Sequence, residues 1–358
     1  MITPNPVRAA IVGFGISGKV FHAPLIAANP RYSLVAIVTA EPGRVAQARQ
    51  TYPGARIFET ATALFTAVDS GDIDLDLVVL GTPPGVHMEQ ALGAIDRGLH
   101  VVIDKPFVPS SADGEALIDR AAEADVALTV FQNRRWDADY LTLKTLLRDG
   151  ALGQVRSFES RFEWWKPEGF GNWRDQTSVA EGGGILHDLG AHLIDQAIDL
   201  FGSVIEIHGE TVTHSPNHVA DQDSFVSLLH ESGVRSRLWM NGLAAQAGPR
   251  FHVLGSTAAY TKWGLDAQEA SLAAGILPTD TSYGVEPESS WGMLGIDGAT
   301  TTVPAERGSY PLFYSQLAAA LQDGAPLPVD PAQSLEVLRV IEKIHAAVDP
   351  VVQTQKVS

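Results

Sequence analysis

The segment GGGILHDLGAHLID, residues 182–195, joins a glycine run to acid and imidazole side chains at helical spacing. At about 100° per residue, Asp188 and His192 fall on one face of an α-helix, and Asp195 and Asp199 continue that polar stripe. A carboxylate and an imidazole four residues apart can act on one substrate, which makes Asp188 and His192 candidates for proton transfer. The alternative is a solvated stripe, although such stripes usually contain Glu, Lys and Arg, which are better helix formers.

The same segment contains side chain types that can bind metal ions. His187 lies about 100° around the helix from Asp188, so the metal-capable side chains cannot converge without ligands from elsewhere. The chain contains no cysteine, which excludes thiolate ligands, disulfides and a cysteine nucleophile. The pattern therefore favours acid–base chemistry, and we expect no metal.

A glycine-rich turn near the start of the chain has the form of a dinucleotide site. Gly13, Gly15 and Gly18 have the GxGxxG spacing, directly after an apolar strand and before a helix. The first glycine permits the turn, the second admits a pyrophosphate, and the third lets the helix pack on the strand. Ile16 and Ser17 lie at the helix N-terminus, where N–H groups face the phosphates. We expect these five residues to bind the cofactor.

The end of the second strand distinguishes NAD from NADP. A carboxylate at this position binds the ribose 2′-hydroxyl and repels a 2′-phosphate. Here the strand ends in Thr39 and Ala40, and Glu41 comes one or two positions late. The sequence therefore favours NADP, with Thr39 and Arg44 as contacts. NAD remains possible if Glu41 turns towards the ribose and Arg44 is a solvated surface charge.

Two further strands end in polar residues. Thr82, Pro83 and His87 follow one strand, and Asp104 and Lys105 follow the next. The carboxyl ends of strands in an open parallel sheet line the ligand crevice, so we expect these residues near the cofactor. Lys105 could hydrogen-bond a reacting hydroxyl, although a surface lysine is the alternative. For His87, capping or packing is more plausible than catalysis.

The order of apolar patterns predicts two domains. Residues 7–131 alternate continuous apolar strands with helices, which indicates a parallel sheet covered on both faces. After residue 132, segments such as VRSFESRFEWW alternate between apolar and polar residues, which indicates antiparallel strands. We predict an α/β Rossmann domain over residues 1–131 and an α+β substrate domain over residues 132–358. The sequence does not show on which domain the last helix packs.

The composition limits the possible partners. The formal net charge of −17 disfavours binding to nucleic acid or to an anionic membrane. No run of 18 apolar residues suggests a membrane span, and no leader pattern precedes the first strand. These features predict a cytoplasmic protein that binds small molecules.

Four motifs occur in this order: GFGISGKVFHAPLI, TPPGVH, DKPF and GGGILHDLGAHLID. Together they resemble the Gfo/Idh/MocA oxidoreductases, which are two-domain NAD(P)-dependent enzymes that act on sugars and polyols. The resemblance implies that Lys105, Asp188 and His192 are the catalytic trio. It also implies a second domain with a large, mostly antiparallel open sheet. One face of such a sheet is often buried between the subunits of a homodimer or homotetramer.

Within this family, FQNRRWDADYLTL, NWRDQ and HLIDQAIDLFG resemble a subgroup that contains NADP-dependent scyllo-inositol 2-dehydrogenases. Two positions depart from the pattern. Asp104 replaces the usual glutamate, and Ala40 stands where an arginine for the 2′-phosphate is common.

The expected reaction is hydride transfer between a polyol or sugar hydroxyl and the nicotinamide. His192 would act as the base, Lys105 would stabilise the reacting oxygen, and Asp188 would position Lys105 or a neighbouring hydroxyl. The alternative is a non-catalytic NADP-binding regulator on the same fold, which would need the glycine loop but not Lys105 with His192.

The substrate pocket has four further candidates. Asn133, Trp136, Trp173 and Arg174 carry polar or aromatic groups suited to a polyol. The two tryptophans could equally be core or interface aromatics, and Arg174 could be an ion-pair partner.

Overall fold

The first sheet forms the centre of the N-terminal domain. The structure is a computed structural model that describes residues 5–169, 176–215 and 218–347. The first six strands are β1 (Val7–Val12), β2 (Tyr32–Val38), β3 (Arg56–Phe58), β4 (Leu77–Leu80), β5 (His100–Asp104) and β6 (Leu128–Phe131). They pair in parallel in the order β3-β2-β1-β4-β5-β6. The order reverses between β1 and β4, which opens a crevice at their carboxyl ends.

Helices cover both faces of this sheet, so its central strands are continuously apolar and buried. The segment after β1 begins as a π-helix, Ser17–His22, and continues as α1 (Ala23–Ala27). The other helices are α2 (Pro42–Thr51), α3 (Ala61–Asp69), α4 (His87–Ile95) and α5 (Ser111–Glu123). Side-chain caps start several of them; for example, the Ser110 hydroxyl accepts a hydrogen bond from the Asp113 N–H. The predicted Rossmann fold is confirmed.

The second sheet has eight strands. They are β7 (Ser157–Glu163), β8 (Val204–Val212), β9 (Asp223–His230), β10 (Arg235–Asn241), β11 (Phe251–Leu254), β12 (Ala259–Lys262), β13 (Gly292–Ile296) and β14 (Ala299–Val303). Their order is β14-β13-β12-β11-β7-β10-β9-β8. Adjacent strands are antiparallel, except that β7 and β10 are parallel. In β9 and β10 every second residue is buried, so one face carries the core. The predicted mostly antiparallel sheet is confirmed.

Five later helices pack against the two sheets. They are α6 (Ala138–Arg148), α7 (Ala191–Phe201), α8 (Gln268–Ala273), α9 (Pro311–Asp323) and α10 (Pro331–Ala347). Phe313 and Leu317 of α9 pack in the core of the first domain. In α10, Leu338 packs in that domain, whereas Val337 and Ile341 pack under the second sheet. The last helix therefore fixes the two domains against each other.

None of the helices described here is both long and apolar enough to cross a lipid bilayer.

Candidate active site

The glycine loop leaves open space at one position. A Cβ on Gly13 would lie 2.7 Å from the Gly81 carbonyl oxygen, and a Cβ on Gly18 would overlap the Gly13 carbonyl. The internal packing therefore requires glycine at both positions. At Gly15 the nearest atom to a Cβ is Nη1 of Arg44, 3.9 Å away. This open backbone, next to the helix start and the exposed Ile16, fits a bound pyrophosphate.

The end of β2 lies next to this loop. Thr39 is buried and donates its backbone N–H to the Phe58 carbonyl at 2.8 Å. The Glu41 carboxylate caps α2 and accepts hydrogen bonds from the N–H groups of Gly43 and Arg44, both at 2.8 Å. These bonds lower the pKa of Glu41 and orient its carboxylate along the helix rather than towards a ribose.

Asp104 connects β5 to the helix that follows the glycine loop. Its Oδ1 accepts the Lys105 N–H at 2.8 Å, and its Oδ2 lies 3.8 Å from Nε2 of His22. Burial acts to raise the pKa of Asp104, but His22, the Ser17 hydroxyl and the Lys105 charge outweigh it and keep the pKa low. Asp104 is therefore an ionised group beside the loop, and its contact with the ribose remains a prediction.

His87 links the ends of β4 and β5. Its Nε2 lies 2.8 Å from the Thr82 carbonyl oxygen, and its Nδ1 lies 2.9 Å from that of Phe107. Burial lowers the pKa of His87. These contacts agree with the packing role that was the alternative for His87, whose side chain is fully buried, and its contact with the cofactor stays a prediction. Thr82 itself bonds Gln90 through its hydroxyl, and Pro83 is exposed beside it.

Lys105 and Asp188 form an ion pair between the two domains. The Lys105 Nζ donates to Asp188 Oδ1 at 2.7 Å and to the Asp188 carbonyl oxygen at 2.9 Å. Each side chain is 15% exposed, so both are sheltered yet open to a cleft. Asp188 is therefore placed to orient the ammonium group of Lys105.

The helix that carries Asp188 begins as a π-helix, Leu186–Gly190, which runs into α7. Such wide turns are frequent at functional sites. The glycine run before it is required by close contacts, because a Cβ on Gly183 would overlap the Thr177 carbonyl. His192 lies on the first turn of α7, buried and edge-on to the Phe162 ring with centroids 6.1 Å apart.

The acids of the expected polar stripe have different partners. Both carboxylate oxygens of Asp195 accept hydrogen bonds from Arg135 at 2.7 Å. Asp199 binds Arg135 at 3.2 Å, Tyr140 at 2.5 Å and Lys144 at 3.0 Å. Asp188 instead binds Lys105, whereas Asp195 and Asp199 join α7 to Arg135 and to α6.

The substrate candidates differ in their surroundings. Trp136 is buried and lies edge-to-face against Phe313 with ring centroids 5.5 Å apart, which agrees with the alternative of a core aromatic, and its place in the pocket stays a prediction. Asn133 is buried directly after β6, in the turn that leads to Trp136. Trp173 and Arg174 lie outside the described residues.

His187 belongs to a histidine pair. Its ring stacks on that of His345 in α10 with centroids 5.2 Å apart. Burial, reinforced by His345, lowers the pKa of His187 to about 4. Across the described ranges no group of three or more His, Cys, Asp or Glu side chains has a metal-binding arrangement.

The sequence reasoning missed Asp221. Its Oδ2 accepts the Leu186 N–H at 2.8 Å and the Ser224 hydroxyl at 2.6 Å. Asp221 thereby binds the start of the helix that carries Asp188. The acid is 35 residues from Leu186, so no local spacing identifies it.

Comparisons with known proteins agree with this geometry. Residues 7–132 match the oxidoreductase family with an NAD-binding Rossmann fold, and residues 140–261 match the GFO/IDH/MocA C-terminal domain. The chain is 32% identical to scyllo-inositol 2-dehydrogenase (NADP(+)) IolW from Bacillus subtilis, covering 94% of this chain and 92% of that protein.

Two further relatives have similar coverage. The oxidoreductase YdgJ from Escherichia coli is 35% identical, with 94% of each chain covered. Among solved structures, the oxidoreductase yvaA from Bacillus subtilis superposes with a TM-score of 0.88 at 31% identity, with 96% of each chain covered.

Proposed function

Because the chain belongs to the Gfo/Idh/MocA oxidoreductase family, we propose that it transfers a hydride between a polyol or sugar hydroxyl and the nicotinamide of NADP. The proposed substrates are inositols and pyranoses. The proposal combines the family with the Lys105–Asp188 ion pair and with the prediction that His192 acts beside it.

The observation that carries the proposal is the ion pair between the domains. Lys105 follows β5 at the carboxyl edge of the parallel sheet, the edge at which Gly13 and Gly81 also lie. Asp188 approaches this edge from the second domain and binds the Lys105 ammonium group at 2.7 Å. An ammonium group at the mouth of a dinucleotide crevice can stabilise the negative charge that develops on an oxidised hydroxyl.

Each group in the site has a distinct task. His192 accepts the hydroxyl proton of the substrate as general base, since imidazole titrates near neutral pH. Lys105 donates a hydrogen bond to the same oxygen, and Asp188 fixes the direction of that bond. When bound, NADP supplies the hydride acceptor, and the protein supplies its placement. Gly13, Gly15 and the following helix start would hold its pyrophosphate.

The preference for NADP rests on Thr39, Glu41 and Arg44. The Glu41 carboxylate is used as the cap of α2, so the strand end offers an uncharged threonine to the ribose. The Arg44 guanidinium lies beside Gly15 and is half exposed, which suits a phosphate ligand. A cytoplasmic location and a homodimeric or homotetrameric assembly stay predictions.

The test is a spectrophotometric screen of inositols and aldoses with NADP and NAD in parallel. The near-ultraviolet absorbance of the reduced nicotinamide reports turnover. We expect polyol-dependent reduction of NADP in the wild type and its loss in Lys105→Met. If the protein binds NADPH but oxidises no inositol or aldose, the dehydrogenase proposal fails and a binding role takes its place.

A further inference from the structure

A cavity lies beside Asp188 on the side of the second sheet. It is small, with a volume of about 30 Å³, and it opens to solvent, so it has room for a group of the size of a hydroxyl. The residues that line it include Lys166, Gly184, Asp188, His218, Asp221 and Gln222. A ligand in this cavity would therefore contact both the ion-paired Asp188 and the more deeply placed Asp221.

Asp221 is held in one orientation by three bonds. Its Oδ2 accepts the Leu186 N–H and the Ser224 hydroxyl, and its own carbonyl oxygen accepts the Ile185 N–H at 3.0 Å. The residue is 7% exposed, so these bonds are well shielded from water. The carboxylate is thus preorganised, and the position of Oδ1 is fixed by the position of Oδ2.

The Oδ1 atom of Asp221 is buried and has no hydrogen-bond partner among the described residues. A Cβ at Gly184 would overlap it, so glycine at that position, with φ of 94°, makes room for the carboxylate. A buried carboxylate oxygen without a donor is costly, and such atoms in native proteins usually meet water, an ion or a ligand.

Two histidines next to Asp221 could instead neutralise its buried carboxylate. His187 and His345 stack together, and the Asp221 charge favours their protonated forms. Burial nevertheless lowers the pKa of both, and that of His187 to about 4. At neutral pH the pair is uncharged, so it does not neutralise the carboxylate.

We propose that Asp221 is a substrate-binding residue whose Oδ1 accepts a hydrogen bond from a second hydroxyl, one that is not oxidised. This inference rests on the proposed function and narrows it. The substrate carries its reacting hydroxyl near Asp188 and a further free hydroxyl that reaches Asp221 across the same cavity. A site built to bond a hydroxyl strongly rejects an analogue that lacks it. Asp221 therefore selects polyhydroxylated rings over simple alcohols.

The test compares Asp221→Asn with the wild type on myo-inositol and glucose, each beside its monodeoxy analogues. In Asp221→Asn the amide oxygen can keep the Leu186 and Ser224 bonds, while an N–H₂ group replaces the acceptor atom Oδ1. We expect the KM for the parent polyol to rise about 10- to 100-fold, with unchanged affinity for NADPH. We also expect one monodeoxy analogue, poor for the wild type, to be affected much less by the substitution.

Asp223→Asn is the matched control. It removes the same charge two residues away, where the carboxylate is part exposed and faces His214 at 3.6 Å. It should leave the discrimination between parent and deoxy substrates unchanged. An equal loss of kcat/KM for parent and every deoxy analogue in Asp221→Asn would show a structural role and overturn the inference.

Failure of the proposed function gives a different result. A wild type that turns over none of these sugars would refute the dehydrogenase and the substrate contact together. A wild type that is active and an Asp221→Asn variant that discriminates as the wild type does would refute only the role of Asp221.

Discussion

Removing the carboxylate of Asp188 tests the arrangement of the active site most directly. Two unit charges 2.7 Å apart attract by about 6 kcal/mol at an effective dielectric constant of about 20. Breaking a fully buried pair costs about 3 to 5 kcal/mol, and an exposed pair less than about 1. With 15% of each side chain exposed, we take about 2 kcal/mol for the placement of the Lys105 ammonium.

This value corresponds to a loss of about 30-fold in kcat/KM for Asp188→Ala. Asp188→Asn keeps an oxygen acceptor for the Lys105 Nζ, so its loss should be smaller, about 5- to 10-fold. The assay is steady-state oxidation of the best polyol from the screen with saturating NADP. Fluorescence titration with NADPH and thermal unfolding check that cofactor binding and the fold are retained.

We expect kcat/KM to decrease in the order wild type, Asp188→Asn, Asp188→Ala. A folded Asp188→Ala protein with the kcat/KM of the wild type would refute the role of Asp188 in orienting Lys105. An Asn variant as impaired as the Ala variant would show that the charge, and not the acceptor geometry, matters.

Four further outcomes are expected. His192→Ala should lower kcat by about 100-fold while NADPH titrations stay unchanged; full activity on every polyol would refute its role as base. Gly15→Val should abolish NADPH binding but leave thermal stability nearly unchanged, because the valine fills only open space. Gly18→Ala should lower the melting temperature, because its Cβ would overlap the Gly13 carbonyl. Thr39→Asp should shift the ratio of kcat/KM for NADP and NAD at least about tenfold towards NAD, and an unchanged ratio would reject the argument from the strand end. Burial lowers the pKa of His187 from about 6.5 in the unfolded chain to about 4 in the folded protein, so between these pH values the unfolded state binds the extra proton. The free energy of unfolding should therefore fall by about 1 kcal/mol per pH unit as the pH drops from 6.5 to 4. His187→Phe, which preserves the stack on His345, should flatten this part of the stability profile in thermal melts; an identical slope would contradict the assignment.

The sequence alone identified the first domain and its cofactor loop. Continuous apolar strands separated by helices admit few arrangements other than a parallel sheet with covered faces. Gly13, Gly15 and Gly18 are recognisable because their role depends on local backbone geometry, which spacing along the chain records. The alternating pattern of β9 and β10 likewise indicated a sheet with one buried face.

Only part of the candidate site could be predicted from the sequence. Lys105 and Asp188 stood out by motif, yet their direct contact links positions 83 residues apart, which no local pattern specifies. Ideal α-helical geometry placed Asp195 and Asp199 with Asp188, but in the structure these two acids bind Arg135 and Asp188 binds Lys105. Trp136 looked like a pocket residue because aromatic rings serve both cores and sugar sites.

Spacing along the chain thus determined which residues could do the chemistry: the glycines at the strand end, the lysine, and the acid and imidazole of one helix. Tertiary structure decided which of these meet, because Lys105 reaches Asp188 only through the packing of the two domains, and Asp221 reaches Leu186 only through the fold of the second domain. Tertiary structure also decided the ionisation of Asp104 and His187. Burial and neighbouring charges set the pKa of Asp104 and His187. Both depend on which parts of the chain pack around a residue, and the local sequence does not specify this.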